Sequence, residues 1–466
     1  MGFLILFSRL VELQVIKGKY FRSLSEENRI KRIPMIASRG KIFARGGEEM
    51  KGTNFAHIVG YLGEVNKDEV GRVDPKCIEK GPRILGEKTG RGGLNEEYNC
   101  ILKGVDGEEL VEVDTSGEKI RTLGVKKPVP GSDIHTTVDF DLENKVSQVM
   151  SGKKGAVVIS DPAGEILALF SEPSFDPAKP ERYLTNPDLP FFNRAIGGMY
   201  HPGSVFKPLV AIAALAEGKI DKNYKYNDTG VIEVKTLYGD YKYSNWFFTQ
   251  YGRTEGEIGL TRAIARSTDT FFYTIGEMLG PEKVAEYSQK FKLSEKTGID
   301  IPGEVAGLVP TPEWKEKVKN EKWFLGNTYH LSIGQGDVAV TPLEINVMTA
   351  VIASGKICSP KIWVEKSGSC ENSGIEKEQL ELVREGMRQA CSTGGTGYTF
   401  FDFPETVSCK TGTAEVGLDG DTHAWFTLFS DDIVLTVLIE RGGEGSKVAG
   451  PIARELMDYV YLRKNP

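Results

Sequence analysis

The sequence predicts an α+β chain. One antiparallel sheet is flanked by helices and carries an inserted helical lobe, behind an N-terminal pedestal of extended, β-rich chain. Three observations carry this reading. Strand signals bracket the second half, at 155–170 and again at 407–439. Between them, from Ser204 to about Gly355, the chain is rich in helix formers. From Ile33 to about Gly131 it is instead a run of short strands and glycine-rich turns. Pro128, Pro130 and Gly131 mark a boundary, so three parts are expected: a helix over 1–30, a pedestal over 31–130 and a sheet-and-lobe domain over 131–466.

Each element has its reason. Gly2 to Phe7 is wholly apolar, Ser8 and Arg9 interrupt, and Leu10, Leu13, Val15 and Ile16 continue an apolar stripe. One helix is expected there, ending before Pro34. It falls short of the ~20 apolar residues that span a bilayer and lacks the plan of a signal peptide. It reads either as a small amphipathic helix or as the tail of a membrane anchor. Lys103 to Asp114, with the turn Thr115-Ser116-Gly117-Glu118, suggests hairpins. Asp141 to Met150 is helical. Gly155–Ser160 and Glu165–Phe170 flank Asp161-Pro162-Ala163-Gly164 as a hairpin whose apolar runs imply cover on both faces. Val407 leads a strand through Lys410, Ala424–Phe429 and Ile433–Ile439 pair about Ser430-Asp431-Asp432, and Pro451 opens a closing helix.

Composition excludes several classes. The 466 residues leave room for two or three domains, and 40% apolar with 26% charged residues is ordinary for a globular protein. A net charge of −7 gives no footprint for nucleic acid. The six cysteines form no C-x-x-C pair and read as buried or unpaired thiols. The five histidines have no ligand spacing, so no metal or other cofactor is expected.

The chemistry centres on His201-Pro202-Gly203-Ser204-Val205-Phe206-Lys207-Pro208. The run Leu209–Ala216 is apolar on every side, hence a buried helix. Ser204 sits at its start and Lys207 three residues on, on the same face and within reach of the hydroxyl. A lysine there is costly unless paired or lowered in pKa. A desolvated lysine beside a serine can act as general base to a nucleophile. Further along lie Ser267-Thr268-Asp269 and Lys410-Thr411-Gly412-Thr413. Each pattern is cheap alone: Ser-x-x-Lys recurs at Ser38, Ser116 and Ser151, and Lys-[Ser/Thr]-Gly at Lys88, Lys296 and Lys366. Context selects. Only Ser204 opens a buried helix, Ser267–Asp269 precede the aromatic run Phe271-Phe272-Tyr273, and only Lys410 lies on a strand ahead of the final strand pair.

The three motifs in this order resemble those of penicillin-recognising serine transpeptidases. The wider text resembles class B penicillin-binding proteins over nearly the whole chain: Arg39–Ile42, Val59–Tyr61, Asn193–Ile196, Gly326–Thr328, Ser332–Gly336, Thr341–Leu343 and His423–Phe426. Asp269, where division-type members carry asparagine, leans towards the elongation-type penicillin-binding protein 2 group. The resemblance implies a D,D-transpeptidase in which Ser204 attacks a D-Ala-D-Ala stem and Lys207 takes its proton. Ser267 would relay that proton, and Asp269 would bond the lysine and the substrate amide. Lys410 would attract the terminal carboxylate and keep the neighbouring lysine's pKa low. Thr411 and Thr413 would bind that carboxylate, Gly412 would leave room for substrate along the strand edge, and the N–H groups of Ser204 and Thr413 would form the oxyanion hole. It further implies acylation by β-lactams, a membrane glycosyltransferase partner of the SEDS type, and a place at the bacterial membrane with the catalytic domain outside the cytoplasm.

Two departures stand beside the resemblance. The anchor is a stub, and Ala44 to Phe55 bridges in a dozen residues what is usually a long head segment. Asn227 to Gly256 lacks histidine and cysteine, so the lobe metal of some elongation-type members is not expected. Rival readings on the same motifs are a D,D-carboxypeptidase, a β-lactamase and a non-catalytic penicillin sensor. Glu316 and Asn320 spell the deacylating pattern of one β-lactamase class, but their lysine-rich segment reads as a solvated face. Gln335 reads as a turn, Trp425 as core, and Gly394–Gly397 as a loop near the site.

Overall fold

In the C-terminal half, β1 (Gly155–Ser160) and β2 (Ile166–Glu172) form the predicted hairpin. They share one antiparallel sheet with β3 (Ser408–Val416), β4 (Asp421–Phe429) and β5 (Val434–Ile439), in the order β3-β4-β5-β1-β2. The computed structural model describes residues 2–114, 116–236, 239–417 and 420–465, without the side chains of 24–28. Met1 of the expected helix and Thr115 of the expected turn therefore lie outside the described residues.

Strand alternation builds two cores on this sheet. Trp425, Val434 and Leu438 point into one, with α2 (Lys207–Ala216), α5 (Asp269–Leu279) and α6 (Pro342–Ser354). Phe426, Leu428, Leu435 and Val437 point into the other, with α1 (Phe140–Met150) and α7 (Ala449–Lys464). Asp139 caps α1 by accepting the N–H of Leu142 at 2.9 Å. All of β1 and β5 is buried, as apolar runs covered on both faces require.

The lobe is less helical than expected. Tyr226–Asp228 pairs with Gly256–Ile258, and between them an arm of two strands, Val231–Thr236 and Gly239–Ser244, precedes the short helix α3 (Trp246–Tyr251). The β-branched residues Val231, Ile232 and Val234 account for the difference. α4 (Leu260–Arg266) then leads to α5.

The chain forms two compact units: 1–42, 64–89 and 98–134 make the smaller, and 43–63, 90–97 and 135–466 the larger. The smaller unit holds the expected hairpin as Gly107–Val113 and Lys119–Lys126, joined by the edge strand Ile30–Met35, where Pro34 is tolerated. Its N-terminal helix is not continuous: Gly2–Val11 and Gly18–Arg29 are α-helical, and Glu12–Ile16 is a π-turn closed by Lys17 N–H on Glu12 O at 2.7 Å. The β-branched pair Val15-Ile16 and Gly18 fall at that break. Among the described residues no helix is long and apolar enough to cross a membrane. The cysteines also depart from expectation. All six are paired, as Cys77–Cys100, Cys358–Cys370 and Cys391–Cys409. The partners stand 23, 12 and 18 residues apart, so only tertiary folding brings them together.

Candidate active site

Ser204 sits in a single 3₁₀ turn, Gly203–Phe206, which runs into α2 at Lys207. Gly203 takes φ 56°, and a Cβ there would meet Thr413 O at 3.0 Å, so glycine is needed on both counts. Its N–H donates to Gly334 O at 2.8 Å, which ties the turn to the Gly334-Gln335-Gly336 loop. Both those glycines have positive φ, so Gln335 is a turn residue, as expected. Ser204 is half-buried and Lys207 fully buried.

Lys207 does not spend its donors on Ser204. Its Nζ donates to Asp269 Oδ1 at 2.6 Å, to Ser267 O at 2.8 Å and to Ser267 Oγ at 3.1 Å. Among the described residues Ser204 Oγ has no hydrogen-bond partner. An ammonium has three N–H donors and no lone pair, so these three acceptors saturate it. Burial pushes the Lys207 amine below its ordinary range, and the adjacent Asp269 carboxylate opposes that.

Ser267 and Asp269 owe their aim to a junction of two helices. Ser267 closes α4 in the left-handed region, φ 56° and ψ 40°, rare for a residue with a side chain. Asp269 opens α5 two residues later. Neither is a plain cap, because Asp269 Oδ1 is turned to Lys207 and its Oδ2 accepts the N–H of Trp246 at 2.9 Å.

Lys410 reaches the same place from β3. It is fully buried, and its Nζ donates to Ser267 Oγ at 2.9 Å and to Thr411 O at 2.9 Å. One serine hydroxyl thus lies between two lysines. Burial first, then the like charge of Lys207, hold the Lys410 amine well below its ordinary range. The reason is the partner: Asp269 accepts from Lys207, whereas Lys410 finds only neutral acceptors.

Thr411 donates through Oγ1 to Thr396 Oγ1 at 3.0 Å, which brings the Gly394–Gly397 loop to the site as expected. Thr413 is exposed, and its Oγ1 accepts the N–H of Gly445 at 3.2 Å. A Cβ at Gly412 would meet Pro202 O, Val205 Cγ1 and Trp425 Cβ, each at 3.0 Å, so the glycine admits the Ser204 turn. β3 is the edge strand of its sheet. Ser204 is the second residue of its turn, so its N–H has no carbonyl within the turn to bond. Trp425 is core, with Nε1 donating to His201 O at 2.9 Å. Glu316 and Asn320 are exposed, and Asn320 ends its helix with φ 55°.

Sequence reasoning missed Trp246 and Asn245. Trp246 contributes a backbone N–H, which no residue type advertises. Asn245 Oδ1 accepts the N–H of Asp269 at 3.2 Å, and its place after the Tyr241–Ser244 strand end was the one available sign.

Residues 155–458 match the family described as "Penicillin binding protein transpeptidase domain", and residues 48–136 match "Penicillin-binding Protein dimerisation domain". The chain belongs to the penicillin-binding protein transpeptidase family. It is 32% identical to peptidoglycan D,D-transpeptidases MrdA of Acinetobacter baumannii and Haemophilus influenzae, over 89% of this chain and 66% and 69% of theirs. It thus spans about two thirds of the length of these relatives. Among solved structures, a penicillin-binding protein 2 (PBP2) from Helicobacter pylori in complex with MreC shares the fold, with TM-score 0.83 over 94% of this chain and 100% of that one, at 23% identity. PBP2 of Pseudomonas aeruginosa in complex with WCK 5153 gives TM-score 0.78 at 29% identity, over 92% and 96% of the two chains. These relatives are of the penicillin-binding protein 2 group, towards which Asp269 leaned.

Proposed function

We propose that the chain is a peptidoglycan D,D-transpeptidase working through a Ser204 acyl-enzyme. The observation that carries this is Ser267 Oγ held at 3.1 and 2.9 Å between the two buried lysines, one of which opens the helix that follows the half-buried Ser204's turn. Burial favours the neutral form of Lys207, and losing one proton opens a lone pair towards Ser204. Lys207 then takes the Ser204 proton as Oγ attacks the carbonyl of a D-Ala-D-Ala stem. The N–H groups of Ser204 and Thr413 hold the oxyanion. The proton returns through Ser267 to the departing D-alanine amine, while Asp269 keeps Lys207 in line. Lys410, Thr411 and Thr413 grip the terminal carboxylate at the open edge of β3. The amine of a second stem takes the acyl group and forms the crosslink. β-Lactams acylate the same serine.

The proposed setting is the bacterial membrane, with the catalytic domain outside the cytoplasm. Three disulfides support an oxidising compartment. A SEDS-type glycosyltransferase is the proposed partner. In its support, the chain is 26% identical, with TM-score 0.79, to a chain in a structure described as a peptidoglycan synthase complex.

Labelling with fluorescent penicillin tests the reading. Wild type takes up label and Ser204→Ala takes up none. Equal labelling of both, or none of either by folded protein, overturns it.

A further inference from the structure

Asp228 is 2% exposed, and four neutral donors fill it. Oδ1 accepts Gly230 N–H at 2.9 Å and Thr270 Oγ1–H at 2.8 Å. Oδ2 accepts Asn245 Nδ2–H at 3.1 Å and Glu255 N–H at 2.9 Å. A carboxylate offers about four acceptor sites, so this one is saturated. Asn245 is fully buried and its carboxamide is spent at both ends: Nδ2 on Asp228, Oδ1 on the backbone N–H of Asp269 at 3.2 Å. The neighbours set which end is which, because Asp228 can only accept and a backbone N–H can only donate. The next residue completes the hold. Trp246 N–H donates to Asp269 Oδ2 at 2.9 Å, and Trp246 Nε1–H donates to Arg266 O at 3.0 Å. Arg266 closes the loop through Glu255 at 2.6 Å and lies 4.7 Å from the centre of the Phe247 ring.

We propose that Asn245, oriented by Asp228, is a positioning residue for acylation, acting through Asp269. Among the described residues the segment after the arm makes no hydrogen bond to Ser204. It touches the second motif at two points, the backbone N–H and the carboxylate of Asp269, and holds the last carbonyl of α4, that of Arg266, just before it. Among the described residues Asp269 is the single carboxylate on Lys207. Its two oxygens are divided between the lysine and Trp246, so the direction of Oδ1 depends on Trp246 staying in place. Asn245 keeps it there. The inference rests on the reading of Ser204 as the acylated residue.

The test is the second-order rate of fluorescent-penicillin acylation against pH in wild type, Asn245→Ala, Asp228→Asn and the arm-surface control Lys242→Ala, with folding checked by thermal melting. Lys242 is exposed and pairs with Glu233 at 3.0 Å. Losing one hydrogen bond to a charged group predicts a fall of about tenfold or more for Asn245→Ala. Asp269 raises the pKa of Lys207, so a looser Asp269 lets that pKa drop, and the alkaline-rising limb moves to lower pH. Asp228→Asn shows the same two changes more weakly, because the carboxamide that replaces the carboxylate keeps one acceptor oxygen, and Lys242→Ala shows neither. A folded Asn245→Ala with the rate and limb of wild type overturns the inference. So does a fall in rate that leaves the limb unmoved, which is what loosened structure alone produces. If wild type itself takes up no label, the reading of Ser204 has failed first, and the two failures are distinct.

Discussion

Two groups of buried charge flank the Ser204 turn in sequence, and they are built on opposite plans. Before it, Arg194 and Tyr200 meet Glu440. Arg194 donates to Glu440 Oε1 at 2.9 Å and to the carbonyls of Leu189, Phe192 and Asp188, and Tyr200 donates to the same Glu440 oxygen at 2.7 Å. The buried guanidinium faces one carboxylate and its fork is satisfied, and the second cation near Glu440, Lys154 at 3.7 Å, is exposed and shared with Asp188. After the turn, Lys207 and Lys410 share one hydroxyl, Ser267, and among the described residues the one carboxylate, Asp269, is bonded to Lys207 alone. Two cations for one anion cannot both stay charged cheaply in a buried site. The first plan holds a shape. The second keeps a proton loosely bound, which is what the proposed general base of Ser204 requires.

Breaking the second plan should cost rate. Lys207→Met removes the proposed base while matching the length of the stem, and the acylation rate should fall by roughly 10²–10⁴-fold, the usual contribution of a positioned base. Stopped-flow or gel-based penicillin labelling measures it. Wild type should also gain rate with rising pH, because Lys207 must lose its proton and burial brings that loss below the ordinary lysine range. A Lys207→Met rate close to that of wild type would assign the base elsewhere.

Breaking the first plan should cost stability instead. Arg194→Met leaves the half-buried Glu440 with Tyr200 and only the exposed Lys154 at 3.7 Å as its cation. A loss of about 3 kcal/mol is expected, the low end for breaking a buried pair, because Lys154 remains. Urea unfolding reads that loss, and penicillin labelling of the folded fraction should change little. A variant that stays stable yet loses labelling would place Arg194 in the chemistry and erase the distinction.

The contrast also explains what was legible in the chain. Ser204, Lys207, Ser267, Asp269 and Lys410 could be singled out because their work depends on side-chain type. The hairpin at 155–170 and the strands over 424–429 and 434–439 were plain because both faces are buried and the runs are largely apolar, whereas the polar β3 was placed by its position ahead of that pair. The pairing of Lys207 with Asp269 was implied by the family resemblance and not by local spacing. A spacing of three puts Ser204 and Lys207 on one face, but Asp269 outcompetes a neutral hydroxyl for an ammonium, and no local spacing places it there. Ser267 in the left-handed region, Gly412 facing the turn, and the disulfide Cys391–Cys409 all arise from contacts between distant segments. The hold of Trp246 on Asp269 is a backbone bond, open to any residue.

The smallest effect is the most diagnostic. Lys410 is fully buried, and its amine is held well below the ordinary 10.5. In the unfolded chain it keeps its proton up to that value, so between the two pKa values the unfolded state binds more protons and stability rises with pH. The penalty is full below the folded-state pKa and vanishes as pH passes 10.5. Lys410→Met removes it. The substitution also gives up the bonds to Ser267 Oγ and Thr411 O, but Ser267 Oγ keeps Lys207. A net gain on the order of 1 kcal/mol near neutral pH is expected, the low end of what replacing buried charge by apolar side chains gives. It should come with loss of acylation, and it should shrink as pH climbs towards 10.5. Thermal melts of both proteins across about pH 6–10 measure this. A destabilised Lys410→Met at neutral pH would mean that Lys410, like Arg194, is held for shape.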